Sequence, residues 1–441
     1  GTGVAQAAVS AEEAAKLGQS LTPVGAEKAG NAAGTIPAWT GGITQAPAGY
    51  QGSGHHHVDP FPQDKPLFTI TAKDVDKYKD KLSDGQVAMF KRYPETYKIP
   101  VYPTHRSVAV PPEIYESAKR SALNVTTTND GNGLANFTGN RYYAFPIPKT
   151  GVEVLWNHIT RYHGGNLKRI ITQVTPQTNG AYTPIRFEEE IAVPQLIKDI
   201  DPEKAANVLT FFKQSVTAPA RLAGNVLLVH ETLDQVKEPR SAWIYNAGQR
   251  RVRRAPQVSY DGPGTAADGL RTSDNLDMYN GAPDRYDWKL EGKKEMYIAS
   301  DAYKLDDPKL KYADIIKAGH INQDLTRYEL HRVWHVTATL KSGERHIYAK
   351  RDFYLDEDTW QAAAIDHYDG RGTLWRVAEA HAQYYYDKQV PWYSIETLYD
   401  LLSGRYLALG MKNEEKSAYE FDYPAKESDY TPAALRQAGV R

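Results

Sequence analysis

From about Asn166 onward, apolar and polar positions alternate in runs separated by Gly, Pro or Asn. Residues 166–178, 181–193, 208–218 and 222–232 are rich in β-branched and aromatic side chains, which predicts four strands. Residues 241–256 read as a hairpin, SAWIYNAGQRRVRRAP, and further strands are predicted at 286–300, 327–340, 346–355, 359–369, 373–386 and 393–407. Within 327–340, Trp334, Val336, Ala338 and Leu340 fall on one face, and His335, Thr337 and Thr339 on the other. The segments Lys341-Ser342-Gly343-Glu344 and Asp369-Gly370-Arg371-Gly372 supply hairpin turns. Many strands joined by short turns predict one strongly curved antiparallel sheet. No repeat and no βαβ rhythm interrupts the pattern, which excludes propellers, solenoids and nucleotide-binding doubly wound folds.

The period changes ahead of Asn166. Val75, Tyr78, Leu82, Val87 and Phe90 recur near helical spacing behind Thr71, predicting a helix to about Phe90. Pro111–Leu123 reads as a helix with proline at its start, and Thr150–Ile159 as a third. Ser10-Ala11-Glu12-Glu13 has capping-box spacing, with Gly18 closing that short helix. Thr35–Pro66 is too rich in Gly and Pro for a core and reads as an extended arm over the surface. A curved sheet must cover its concave face with helices or with ligand. The lids on offer are the helices near 72–90 and 111–123 and a short one near 271–279. The fold class is therefore α+β and β-dominated. The chain divides into an arm (1–66), a helical block (67–160), the sheet (161–407) and a C-terminal tail (408–441).

Composition narrows the function. The chain has 441 residues, 41% hydrophobic and 24% charged, with a net charge of -1, which argues against nucleic acid as a partner. No window approaches the length of a membrane-spanning helix. There is no cysteine, which excludes disulfides, thiolate metal sites and thiol nucleophiles and favours an exported protein. Val4-Ala5-Gln6-Ala7 looks like the tail of a signal-peptide cleavage site, which implies a mature start near Ala8 in the periplasm.

Ala11–Ile43, the phrase VDPFPQDKPLFTITA (Val58–Ala72) and the hairpin WIYNAGQRRVRRAP together resemble the bacterial family DUF1329. The hairpin, with Arg351–Asp356 and Asp366–Trp375, is also similar to periplasmic lipoprotein-sorting carriers of the LolA/LolB type. That resemblance implies an incomplete β-barrel closed by helices as lid or plug, with an apolar cavity for acyl chains. It further implies a periplasmic carrier for a hydrophobic or lipid-like molecule, with an RND-family transporter and an outer-membrane protein as partners. The N-terminal arm and helices have no counterpart in such carriers.

Several groups are candidates for chemistry. Arg250, Arg251, Arg253 and Arg254 crowd one strand, with Arg251 and Arg253 pointing one way. Two readings stand together: Arg251 and Arg253 face an anionic headgroup or partner, or the cluster forms a salt-bridge ladder with Glu188, Glu189 and Glu190. Trp243, Tyr245, Trp334, Tyr348, Trp360 and Trp375 are candidate cavity aromatics, equally suited to plain core packing. His331 and His335 lie about 13 Å apart along a strand and cannot share an ion without a cross-strand partner such as His346 or His367. The His55-His56-His57 run reads as solvated, and the Asp261–Asp287 segment as a solvated loop over the cavity rather than a calcium site. No nucleophile elbow, zinc helix, P-loop or dinucleotide fingerprint occurs, so no catalytic residue, metal or cofactor is assigned. The expected function is a binding protein. The alternatives are a carbohydrate-active or polysaccharide-binding β-protein, or a scaffold bridging exporter and outer membrane.

Overall fold

The computed structural model describes residues 8–137, 139, 141–256 and 258–439. The cleavage-site motif at Val4–Ala7 lies outside the described residues.

Thirteen strands carry the sheet: β1 Leu167–Val174, β2 Ile185–Ala192, β3 Val208–Ala218, β4 Val226–Thr232, β5 Ser241–Asn246, β6 Arg251–Arg254, β7 Tyr286–Ala299, β8 Tyr328–Leu340, β9 Lys350–Asp356, β10 Ala362–Tyr368, β11 Leu374–Tyr385, β12 Val390–Asp400 and β13 Tyr406–Met411. They run in the order β7-β8-β9-β10-β11-β12-β13-β1-β2-β3-β4-β5-β6, each antiparallel to the next. Two hairpin meanders are thus joined where Ala408 of β13 pairs with Val174 of β1. Short strands Phe68–Ile70, Ile99–Val101 and Tyr419–Phe421 bring the total to sixteen. Tyr328 meets Val101 in parallel, so the sheet is mixed rather than purely antiparallel. β6 and β7 remain edges, and the curved sheet does not close into a barrel.

The strand expected at 393–407 is two strands. Asp400 accepts the backbone N–H groups of Leu402 and Ser403, at 3.0 and 2.8 Å, and turns the chain between β12 and β13. β13 also runs across the boundary set at 407.

Helices follow their caps. In α1 (Ala11–Ala14) the Ser10 hydroxyl accepts from the Glu13 N–H. The helix expected over 72–90 begins only at Ser83, where a reciprocal Ser83–Gln86 box starts α2 (Asp84–Arg92). Val75–Lys81 winds as a 3₁₀ segment instead, with Tyr78 stacked on Phe68 at 5.1 Å. α3 (Pro112–Asn124) buries Ile114, Ala118 and Ala122 along one face. α4 (Gly151–Thr160) lies so close to β7 that a Cβ on Gly151 would come within 2.8 Å of the Trp288 carbonyl.

The two faces of the sheet have different covers. On the inner face, α3 and α4 pack with Phe187, Phe353, Ile365, Ala378 and Leu409. On the outer face, α2 supplies Met89 and Phe90 against Val377, Ile395 and Tyr406. Val377 and Ala378 are neighbours on one strand and point oppositely. α2 therefore covers the face opposite to α3 and α4, contrary to the expectation that the helices near 72–90 and 111–123 cover one face together. The C-terminal tail, ending in α5 (Leu435–Gly439), seats Tyr430 and Leu435 on outer-face Phe211, Leu228 and Tyr245.

The arm from Ala15 to Leu67 contains no helix or strand and lies over the sheet, with Ile36 buried and Val24 accepting from the Trp360 indole at 2.7 Å. The helix expected near 271–279 is a single 3₁₀ turn, Ser273–Asn275. Its loop is solvated only in part: Asp268 and Asp287 are exposed, but Asp274 is 1% exposed, ion-paired to Arg351 and hydrogen-bonded to His346, both at 2.8 Å. Of the His55–His57 run only His55 is exposed. His56 reaches the Glu415 carbonyl at 2.6 Å, and His57 pairs with Asp387 at 2.7 Å. A buried imidazole finds protein partners in place of water.

Candidate functional site

The inner face has two unlike halves. Over β8–β13 it is filled by the loop carrying Asp274. Arg351 is fully buried on β9, forks onto both Asp274 oxygens at 3.2 and 2.8 Å, and lies over the rings of Tyr279, Tyr286 and Tyr348. Asn275 meets His367 and Tyr348, while Arg376 pairs with Asp400 at 3.1 Å. Asp274 holds the Arg351 guanidinium above its ordinary pKa, and Arg351 with His346 draws the Asp274 carboxyl below its own against the opposing effect of burial.

Over β2–β5 the same face forms a cradle. Phe212 of β3, Leu227 and Val229 of β4 and Ile244 of β5 stand on one wall. Pro263, Gly264, Thr265, Arg271 and Leu276 of the loop form the other, enclosing about 290 Å³. A wider space of about 720 Å³ adjoins it, sharing Ile244 and Thr265 and adding Ile185, Val216, Leu222 and Arg221. Deeper in, about 70 Å³ shares Phe212, Glu231 and Leu276 and reaches Ile159, Ile191 and Trp392. These volumes and apolar walls suit a small-molecule pocket. The alternation explains the wall: the VLLV of β4 puts Leu227 and Val229 inward while Val226 and Leu228 meet the C-terminal tail.

Charged groups around the cradle are mostly paired. Arg240 binds Glu231 and the carbonyls of Val258 and Asn280. Arg169 binds Glu189 at 2.7 Å and lies over Trp392. Asp277 accepts from Arg161 and from the Trp392 indole. Burial lowers His158 to about 3 and His163 to about 4, so both are neutral. Burial, with Asp277 nearby, raises Glu396 to about 8. Arg271 differs: it is 7% exposed, and its side chain makes no hydrogen bond or ion pair among the described residues.

Of the residues singled out from sequence, Trp243 and Tyr245 lie on the outer face, Trp243 against His230 and Tyr245 under the C-terminal tail. Trp334 stacks on Trp360 at 5.5 Å in the main core. Tyr348 belongs to the Arg351 network, and Trp375 donates to Asp400 beneath Arg376. None of these six aromatics is among the cradle residues. On the hairpin, Arg251 faces Asn246 and Arg253 faces Ile244 in register, so both share the face of the cradle wall. Arg254 shares the outer face with Trp243, lies over its ring and binds Ser241. The expected ladder to Glu188–Glu190 does not form: those acids sit on β2, with β3, β4 and β5 between them and the arginines. Glu189 and Glu190 pair instead with Arg169 and Lys213. Sequence reading missed Phe212, Leu227, Val229 and Arg271. The signal was present in Ile244, which alternates with Trp243 and Tyr245 and so looks the other way.

Three groups able to hold a metal converge at His331, Asp356 and Asp358. Both ring nitrogens of His331 are engaged by carboxylates, Asp356 at 3.0 Å and Glu329 at 2.9 Å, which keep it charged, so no lone pair is free for an ion. The partners expected for it from sequence are elsewhere: His335 pairs with Asp352, His346 meets Asp274, and His367 meets Asn275.

The DUF1329 family, described as a protein of unknown function, matches residues 69–436. The chain belongs to the DUF1329 family. It is 73% identical over 436 residues to the uncharacterized protein PA3922 of Pseudomonas aeruginosa, covering 99% of this chain and 95% of that one. A DUF1329 family protein from Desulfovibrio piger is similar with a TM-score of 0.43 at 12% identity, over 62% of this chain and 92% of that one. A LolA superfamily protein from Nitrosomonas europaea gives 0.38 at 11% identity, over 64% and 98%. Among the described residues of this DUF1329 member, no helix is long and apolar enough to cross a membrane.

Proposed function

We propose that this DUF1329 protein is a periplasmic carrier that binds a hydrophobic or lipid-like molecule in the cradle between β2–β5 and the 256–276 loop. The observation that carries this reading is the space beside the apolar side chains of Phe212, Leu227, Val229 and Ile244, on a face whose other half packs into the main hydrophobic core. A scaffold that only bridges two membranes has no need of such a space. Binding follows from removing an apolar chain from water, about 0.8 kcal/mol per buried CH₂. Arg251 and Arg253 stand on the cradle face at the sheet edge, where they meet an anionic group on the way in. Transfer then goes to a membrane partner, an RND-type exporter or an outer-membrane protein. The function is binding rather than chemistry, with no cofactor.

Native mass spectrometry of protein purified from its host, followed by displacement of a fluorescent fatty acid, tests the reading. A bound amphiphile, lost on Leu227→Trp, is the expected result. A ligand-free protein that also ignores the probe overturns it.

A further inference from the structure

Arg271 is the feature of the cradle that packing alone does not explain. It follows the Asp261–Gly269 loop and is 7% exposed, and its backbone carbonyl accepts from Gly264 at 3.2 Å. Its side chain lies against Gly264, where a Cβ would come within 2.6 Å of the Arg271 Cγ and Nε, so a glycine is required for the guanidinium to lie there. From that position it lines the 290 Å³ space among Phe212, Leu227 and Val229. A guanidinium carries five donors, and a buried one without partners is costly. The acids whose fields reach it are Glu396 and Glu189, and neither forms an ion pair with it. Glu189 is held by Arg169 and Gln214. Glu396 makes no such pair, and burial raises it to about 8, leaving it largely protonated at neutral pH. A second orphan stands in the same space: Gln214 Oε1, on β3, is buried without a donor.

We infer that Arg271 is the receptor for the oxyanion of an amphiphilic ligand, a carboxylate or phosphate attached to an apolar chain, with the chain lying along Phe212, Leu227, Val229 and Ile244. The inference rests on the carrier reading and adds the ligand's class and orientation: the charged head is read inside the cradle, by a fork that the fold leaves unsatisfied. An oxyanion supplies the two acceptors the guanidinium lacks. An alcohol of equal chain length fills the same apolar wall and leaves the fork unpaired.

The test compares palmitate, 1-hexadecanol, palmitoyl lysophosphatidate and inorganic phosphate on the delipidated full chain by titration calorimetry. The expected result is about tenfold tighter binding of palmitate or lysophosphatidate than of hexadecanol. Whichever of the two anionic amphiphiles binds tighter identifies the headgroup. Arg271→Met brings the anionic ligands to the hexadecanol level and leaves hexadecanol unchanged, and Arg271→Lys restores part of the difference. Equal affinity of the wild-type protein for palmitate, lysophosphatidate and hexadecanol overturns the inference while the carrier reading stands. Binding of inorganic phosphate as tight as that of the amphiphiles overturns the amphiphile assignment. Binding of none of the four overturns both readings. The wild-type comparison decides the question even if the variants fail to fold.

Discussion

Arg351 and Arg271 are both buried against the inner face of one sheet, Arg351 on β9 and Arg271 on the loop that covers it. Arg351 meets a carboxylate fork, a histidine and three tyrosine rings, and Arg271 meets a cavity. The difference separates a half of the fold built for rigidity from a half left open. Over β8–β13, Arg351, Asp274, His346, Asn275 and Tyr348 are matched to one another across the inner face. Over β2–β5, apolar wall residues face space, and the buried Arg271 side chain has no partner among the described residues.

The comparison breaks most sharply by removing the anion from the filled half. Asp274→Ala leaves Arg351 buried and uncompensated and should cost about 3–5 kcal/mol in urea denaturation. Arg271→Met removes a charge that has no pair, so the same measurement should show a change within about 1 kcal/mol, of either sign. Equal losses in the two variants would erase the distinction between the halves.

Truncations of apolar residues sharpen it next. Phe353, 1% exposed and packed on Tyr279 and Trp288, should lose about 3–5 kcal/mol as Phe353→Ala. Phe212→Ala should lose less, about 3 kcal/mol or below, because its ring already borders a void.

A pH series divides the same regions. Burial raises Asp366 to about 8 and Glu379 to about 7 in the filled half, and Glu396 to about 8 beside the cradle. A carboxyl whose folded pKa lies above its unfolded value gives the folded state extra protons. Its stabilising effect is complete below the unfolded pKa near 4 and is lost as pH rises through the folded value. The melting temperature should therefore fall between about pH 7 and pH 8.5, above the range in which buried neutral histidines such as His158 and His163 act in the opposite direction. Glu379→Gln and Asp366→Asn should flatten that slope.

The smallest effect on the fold belongs to the rim. Arg251→Glu with Arg253→Glu should leave stability within about 0.5 kcal/mol, since both side chains are exposed and make no ion pair among the described residues. The rate of loading with an anionic amphiphile should drop, and its dependence on salt should weaken.

Much of the architecture was legible from local pattern. Period-two alternation located β1 to β11 because each residue's side chain direction follows from strand geometry alone. Proline at the start of α3 and the Ser10 cap marked helix ends for equally local reasons. The hairpin placed Arg251 and Arg253 on one face, and the register agrees. The site was legible only in part. Alternation separates Trp243 and Tyr245 from Ile244 without saying which face is inside, and the large aromatics lie outward beneath the C-terminal tail. The loop at 261–287 looked solvated because its acids are locally unpaired, yet Asp274 meets Arg351 across 77 residues.

The sequence by itself determined most of the long strands, their two faces, the cationic edge and the family. The tertiary structure alone decided which face is filled, which acid meets which arginine, and that Arg271 meets none among the described residues. Faces are written in covalent geometry a few residues long. Pairing and cavities depend on contacts between segments far apart in the chain, where the filling of one half leaves space in the other.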